Sequence, residues 1–176
     1  MSAREDFTDL PTDAAGRSGL YAALASTFTY EGAIEGPLRI NGYAFNEAFD
    51  PSVNEDACSL REGTYAGGDQ SALFEELMRF YNFFGLGRNE QGEMPDHLSV
   101  EFEFMHFLNF QESKAGDDPV VLQSLTRAQR DFVERHLMRL VRGIRSKLIS
   151  DNPACNELVH MAESFVTADL ARLQAN

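Results

Sequence analysis

The segment "HLSVEFEFMHFLNFQ", residues 97–111, restricts the fold more than any other part of the chain. Wound as a helix from about residue 96 to 112, it is apolar on almost every side. A helix of that kind has to sit at the centre of a bundle, with other helices covering it. The rest of the chain supplies them. "QSALFEELMRFYNFFGL", residues 70–86, puts Leu73, Leu77, Phe80, Tyr81 and Phe84 on one arc and Glu75, Arg79 and Asn82 on the other. Glu75 and Arg79 are spaced for an i,i+4 ion pair, and Gly85 and Gly87 end the helix. "SGLYAALASTFTY" predicts a helix that starts at Thr12 or Ser18 and ends at Tyr30. Asp118-Pro119 is a cap and first-turn pair opening a long helix to about residue 149, with a bend expected near Gly143. Asn152-Pro153 breaks the chain before a last helix over 154–174. Between residues 31 and 68 glycine and proline recur, and at most two short helices fit, near 43–49 and 54–62. No useful β-alternation occurs. The expected fold is all-α: a single compact helical domain of about five to six helices over residues 12–176, after a disordered tail of residues 1–11.

Charge then narrows the partners. The formal net charge is -13, which argues against nucleic acid and anionic membrane surfaces and favours a basic partner. The two cysteines, Cys58 and Cys155, have no metal-type spacing and read as free thiols in a reducing compartment. The first residues, "MSAREDFTDLPTDAAGRSG", have neither the apolar core of a signal peptide nor a transit-peptide pattern. No apolar run reaches the roughly 18 residues of a spanning helix. A cytoplasmic protein without membrane insertion is expected.

Three constellations could carry chemistry. Glu103-His106 and Glu157-His160 are two Glu-x-x-His pairs, half of the ligand pattern of a di-iron helical oxidoreductase, with Glu75, Glu76 and Glu134 as conceivable additions. Both pairs fall away from the apolar arcs of their helices and read as solvent-facing, which weighs against a metal site. Asp96-His97 reads as a helix start, with the Asp96 carboxylate accepting first-turn N–H groups. His97 is harder to explain by stability, because the positive end of the helix dipole disfavours its protonated form. A neutral hydrogen-bonding imidazole near the surface suits recognition. Glu101 projects onto the apolar side and needs a partner; Arg79, Arg135 and Arg139 are candidates. Finally, six arginines and one lysine lie in "RAQRDFVERHLMRLVRGIRSKL". They read as a solvated face with favourable charge near a helix C-terminus, or as a basic strip for an acidic partner or phosphate. No hydrolase nucleophile motif or phosphate loop is present.

Several segments together resemble one family. "RSGLYAALASTFTYEG", "ACSLREGTYAGGDQSALFEELMRFYNFFGL", "EMPDHLSVEFEFMHFL", "DFVERHL" and "NPACNELVHMAESFVTADL" are similar to successive parts of the TorD/DmsD/NarJ chaperones of molybdenum enzymes. The tone is nearest the chaperones of nitrate reductase and of dimethylsulfide, ethylbenzene, selenate and chlorate oxidoreductases. The resemblance implies a TorD-like helical fold, no catalysis and no cofactor of its own. The partner it implies is the immature catalytic subunit of a molybdenum oxidoreductase of the dimethyl sulfoxide reductase superfamily, including a twin-arginine leader peptide. Such chaperones hold that subunit until its molybdopterin guanine dinucleotide cofactor is inserted, and delay export until then. Carried onto this chain, the client-binding residues are Tyr81, Phe83 and Phe84 in the aromatic helix, Glu93, Pro95, Asp96 and His97 in the turn, and His136 and Leu137 downstream. Asp96 is expected to meet a basic group or order the turn, and His97 to hydrogen-bond client backbone. A monomer is expected, with a helix-swapped dimer left open. Two departures stand out. Many relatives follow the His-Leu with Pro-Trp, where this chain has Met138-Arg139. Where relatives often show Cys-Pro-Leu-Tyr-Glu, this chain has Cys58-Ser59-Leu60-Arg61-Glu62.

Overall fold

The computed structural model describes residues 11–176, so the tail expected over residues 1–11 lies, apart from Pro11, outside the described residues. These form nine α-helices and one π turn: α1 (Ala14–Thr27), α2 (Tyr30–Glu35), α3 (Gly42–Phe49), α4 (Gly63–Ala66), α5 (Gln70–Phe83), α6 (Leu98–Lys114), α7 (Pro119–Phe132), the π turn (Val133–Leu137), α8 (Met138–Lys147) and α9 (Pro153–Gln174). α7, the π turn and α8 run on as one helix, the long one expected from sequence. No strand forms among the described residues, and the one β-type pairing is an isolated antiparallel bridge between Arg61 and His97. No described helix is long and apolar enough to cross a membrane.

The helix starts follow side-chain chemistry legible in the sequence. Asp118 accepts the N–H groups of Val120 and Val121 at 3.0 and 3.3 Å, with Pro119 in the first turn. Asn152 does the same for Ala154 and Cys155 ahead of Pro153. Each such cap contributes about 1 kcal/mol. Gly85, at φ +78°, lets the chain leave α5. Segment 54–62 is not helical; it turns and then pairs with the start of α6. α2, absent from the sequence reading, is a six-residue helix capped by Thr29, too short to show a period.

α6 is the central element. Leu98, Phe102, Met105 and Leu108 are fully buried, and Phe104 nearly so. α1 packs along its length, α7 covers a second side, and α9 closes over α7 and α8. The aromatic side chains fill the space between. Phe102 meets Tyr21 and Phe28, whereas Phe104 meets Tyr81 at 4.9 Å and Phe132 at 4.7 Å. Edge-on pairs of this kind contribute about 1 kcal/mol beyond the area they bury. The far end of α6 is tied by polar groups. Arg17 donates to Asn109 at 2.9 Å and pairs with Glu112 at 3.0 Å. Gln129 donates to Glu112, Arg172 donates to Gln129 and Asp169, and the Tyr21 hydroxyl donates to Asp169 at 2.7 Å. α1, α6, α7 and α9 are thereby joined in one buried network.

The irregularity in the long helix lies at the π turn rather than at Gly143. Met138 N–H bonds to Val133 O there, one residue further back than an α-helix allows. Gly143 serves packing instead. A Cβ at residue 143 would stand 2.5 Å from the Tyr65 ring, which is held by its hydroxyl donating to Ser59 O at 2.6 Å. The Glu75–Arg79 ion pair does not form among the described residues; the neighbouring Glu76 pairs with Arg135.

Gly143→Ala should therefore destabilise the protein by about 1–3 kcal/mol through overpacking, although alanine is the better helix former by about 1 kcal/mol. Chemical denaturation reads this directly, and the penalty should vanish or reverse in a Tyr65→Ala background.

Candidate functional site

The Pro-Asp-His turn is locked in place from three directions. The Tyr81 hydroxyl of α5 donates to Pro95 O at 2.8 Å. The backbone of Asp96 accepts from Glu62 N–H, and Leu98 N–H donates to Leu60 O, both at 2.9 Å. The Asp96 side chain is fully buried. Its Oδ1 accepts from Arg61 Nε at 2.9 Å and its Oδ2 from Gly63 N–H at 3.0 Å. A Cβ on residue 63 would stand 3.1 Å from that oxygen, so glycine allows the close approach.

Two sequence expectations are corrected here. Asp96 does not cap α6, and as a fully buried group it cannot present its charge to a partner. The cap is His97, whose Nδ1 accepts from Ser99 N–H at 3.1 Å with Ser99 Oγ at 2.8 Å. The positive helix end is thus no objection to this histidine. Burial pushes its pKa down, against the pull of Glu93 and Asp96, so the imidazole stays neutral and keeps the lone pair the cap requires. Glu93 Oε2 lies 4.0 Å from Nε2.

Behind the turn lies a second cluster. Glu62 is fully buried and accepts from Arg139 Nε at 3.0 Å. His136 Nδ1 lies 3.1 Å from Glu62 Oε2, and its Nε2 lies 3.4 Å from Glu76. Burial alone would raise the Glu62 pKa, but His136 and Arg139 outweigh it and hold the group below the usual carboxylate range. Glu101 is the reverse case. None of Arg79, Arg135 and Arg139 bonds to it, and as a carboxylate neither oxygen would have a donor. Burial, then the neighbouring Glu62 and Asp96 charges, raise its pKa well above the usual range. With its pKa raised in this way, a protonated Glu101 would be able to donate to the neighbouring Glu62.

The expected client-binding residues thus divide by exposure. Phe83 is 77 % exposed, Glu93 is exposed and Phe84 is half-buried. Tyr81, Pro95, Asp96, His97, His136 and Leu137 are buried and shape the surface from beneath. Sequence reasoning gave no role to Arg61 or Glu62 and named Arg139 only as a possible partner of Glu101. Arg61 and Arg139 stood out in the sequence only as departures from the pattern that the family resemblance led one to expect.

The 80–87 segment lines two clefts. One, of about 650 Å³, runs between α1 and α6 and is lined by Leu86, Val100, Phe107 and Glu103 among others. The other lies between α5 and α7. The Glu-x-x-His pairs build nothing comparable. His106 Nδ1 is held 2.8 Å from Ser18 Oγ, while Glu157 and His160 are exposed on α9. Among the described residues no three His, Cys, Asp or Glu side chains gather as a metal would need.

The family described as nitrate reductase delta subunit matches residues 41–142, a span containing the whole buried cluster. The chain belongs to this family. Among its relatives are the perchlorate reductase assembly chaperone protein of Dechloromonas aromatica (strain RCB), 36% identical over 135 residues, and the selenate reductase assembly chaperone protein of Thauera selenatis, 34% identical over 126 residues. A third is the chlorate reductase assembly chaperone protein of Ideonella dechloratans, 38% identical over 80 residues. These alignments cover 73%, 66% and 45% of this chain, and span 59%, 65% and 42% of the relatives' own lengths. In this delta subunit family member, the Pro-Asp-His turn is a buried joint between α5, the 58–63 segment and α6.

Two substitutions separate joint from cap. Asp96→Ala strands Arg61 and Gly63 N–H and should cost on the order of 3 kcal/mol, whereas His97→Ala should cost about 1 kcal/mol as a lost cap. Equal losses in urea unfolding would contradict this division. The Glu101 proton has its own signature. With a raised folded pKa, stability is full below the ordinary carboxylate range and declines as pH rises toward the folded pKa. Glu62, with a lowered pKa, has the opposite sign and loses stability as pH falls. Glu101→Gln cannot ionise, so its stability should gain on wild type as pH rises, by at most about tenfold in folding constant per pH unit. A difference independent of pH, measured by denaturation across the acid-to-neutral range, would show that Glu101 is ionised in the folded protein.

Proposed function

We propose that this protein is a cytoplasmic, non-catalytic assembly chaperone for the catalytic subunit of a molybdenum oxidoreductase of the dimethyl sulfoxide reductase superfamily. It binds the immature subunit, a twin-arginine leader included. It keeps that subunit competent for insertion of the molybdopterin guanine dinucleotide cofactor and delays its export until assembly. The observation that carries this reading is the 36% identity to a perchlorate reductase assembly chaperone over 73% of the chain. The selenate and chlorate reductase chaperones point the same way.

The geometry supports a binding role for the rim of the buried joint. Phe83, Phe84 and Glu93 are its accessible members, and the buried residues beneath hold them in register. The leader's two demands, an apolar surface and a carboxylate for its arginines, meet in the cleft lined by Leu86, Val100 and Phe107, with the exposed Glu103 among its lining residues. Asp96, being buried, acts by ordering the turn. The di-iron alternative finds no support in the positions of its ligands.

Affinity capture from the native host with the full chain as bait, the partner identified by mass, tests the function. The catalytic subunit of a reductase should be recovered; its absence from a capture that does recover other proteins would contradict the reading. For the site, Glu103→Lys should lower affinity for an Arg-Arg leader peptide severalfold and more so at low salt. The substitution is exposed and should change stability by no more than about 0.5 kcal/mol. Unchanged leader affinity would remove this cleft from the assignment.

A further inference from the structure

The groove between α5 and α7 has the opposite electrostatic character. It encloses about 490 Å³. Phe80, Phe83 and Phe84 supply its apolar lining, and Arg79, Arg127 and Arg135 its cationic groups. Two carboxylates also line it. Glu76 is ion-paired to Arg135, and Asp131 is shared between Arg127 at 3.7 Å and Arg130 at 3.8 Å. Arg79 is exposed and has no ion-pair partner among the described residues. The lining therefore carries three guanidinium groups against two carboxylates, on a chain with 15 cationic and 28 acidic residues. It is a locally positive patch on a strongly negative protein.

Phe80 and Phe84 also pack against core aromatics, but core packing does not call for Phe83 or for the Arg79 and Arg127 guanidinium groups. α5 buries Leu73, Leu77 and Tyr81 toward the core. Phe83 is 77 % exposed, and the Arg127 side chain is 75 % exposed. An exposed phenylalanine beside half-buried Phe80 and Phe84, ringed by arginines, has the composition of a recognition surface: aromatic anchors with charge that orients the partner. The sign of that charge selects the partner. An Arg-Arg leader would be repelled here, whereas carboxylates gain charge-assisted, bidentate hydrogen bonds from guanidinium groups.

We propose that the α5–α7 groove binds an acidic segment of a partner polypeptide that carries a large apolar side chain. The apolar side chain packs on Phe83 and Phe84, and the flanking carboxylates pair with Arg79 and Arg127. This rests on the chaperone reading only in taking the partner to be a polypeptide. It gives the 80–87 segment two faces of opposite preference. The cleft beside Glu103 takes a basic, apolar stretch, and the groove beside Arg79 takes an acidic, apolar one.

The probe is a fluorescent synthetic peptide with phenylalanine and leucine four residues apart and glutamates at the intervening polar positions. A second peptide replaces each glutamate by lysine. Fluorescence anisotropy with the full chain should show the glutamate peptide binding about tenfold or more tightly than the lysine peptide, with affinity falling as salt rises. Arg79→Glu combined with Arg127→Glu should remove at least about tenfold of that affinity while leaving the Arg-Arg leader peptide unweakened. Phe83→Ala should weaken the glutamate peptide without altering its salt dependence. Circular dichroism melting of each variant separates lost binding from lost folding. Equal affinity for the two peptides, or a charge-reversed variant that binds the glutamate peptide within about twofold of wild type, would overturn the proposal. Sedimentation showing that the groove is instead closed by a second copy, with no peptide bound, would overturn it as well. Loss of client capture with intact peptide binding would count against the chaperone reading and not against the groove.

Discussion

A helix with apolar side chains around most of its circumference cannot rest on a surface; α6 is enclosed on all but the strip around Glu103 and Phe110, and it imposes that condition on the whole chain. Phe102 and Phe104 point to different sides of it, and each meets its own set of aromatic rings. α1 therefore takes one side, α5 and α7 the other, and α9 is left to close over α7 and α8. Apolar contact alone would leave such a helix free to slide or rotate, because the hydrophobic effect has little direction. The polar groups fix it. Arg17, Glu112 and Gln129 hold its C-terminal end, while Asp96, Glu62 and Glu101 hold its N-terminal end.

The N-terminal cluster is an economical solution to a costly situation. Three carboxyl groups are buried together, with Arg61, Arg139 and His136 as their partners. Full ionisation of all three would leave Glu101 without a donor, and burial together with the Glu62 and Asp96 charges raises its pKa accordingly. The joint between the 58–63 segment, the turn and the long helix is in this chain made by charge.

This joint also holds the exposed 83–93 segment in place. The 80–87 segment emerges from α5 with Phe83 exposed, and the chain returns through the Pro-Asp-His turn. Tyr81 ties the two ends together through Pro95. The clefts on either side differ in lining charge: Glu103 lines one, and Arg79, Arg127 and Arg135 against Glu76 and Asp131 line the other.

The local devices were legible in the sequence because their physics is local. Asp118-Pro119 and Asn152-Pro153 start helices where they stand, the 3.6-residue period marks α5, and the all-round apolar segment declares its own burial. The family resemblance was legible for the same reason, in short strings such as "EMPDHLSVEFEF". What the sequence could not decide was which of two adjacent polar residues caps α6, and which carboxylate finds which cation. Asp96 and His97 are both competent caps. The choice fell to His97 because Arg61 and Gly63, more than thirty residues away in the chain, claim Asp96. Likewise Glu76 pairs with Arg135 while Glu75 and Arg79 form no pair among the described residues, and the irregularity of the long helix comes at the π turn, not at Gly143, whose missing side chain leaves room for Tyr65. Spacing along one helix fixes what a residue can reach locally. Burial and charge pairing between distant segments exist only once the chain has folded, and only the tertiary structure decides them.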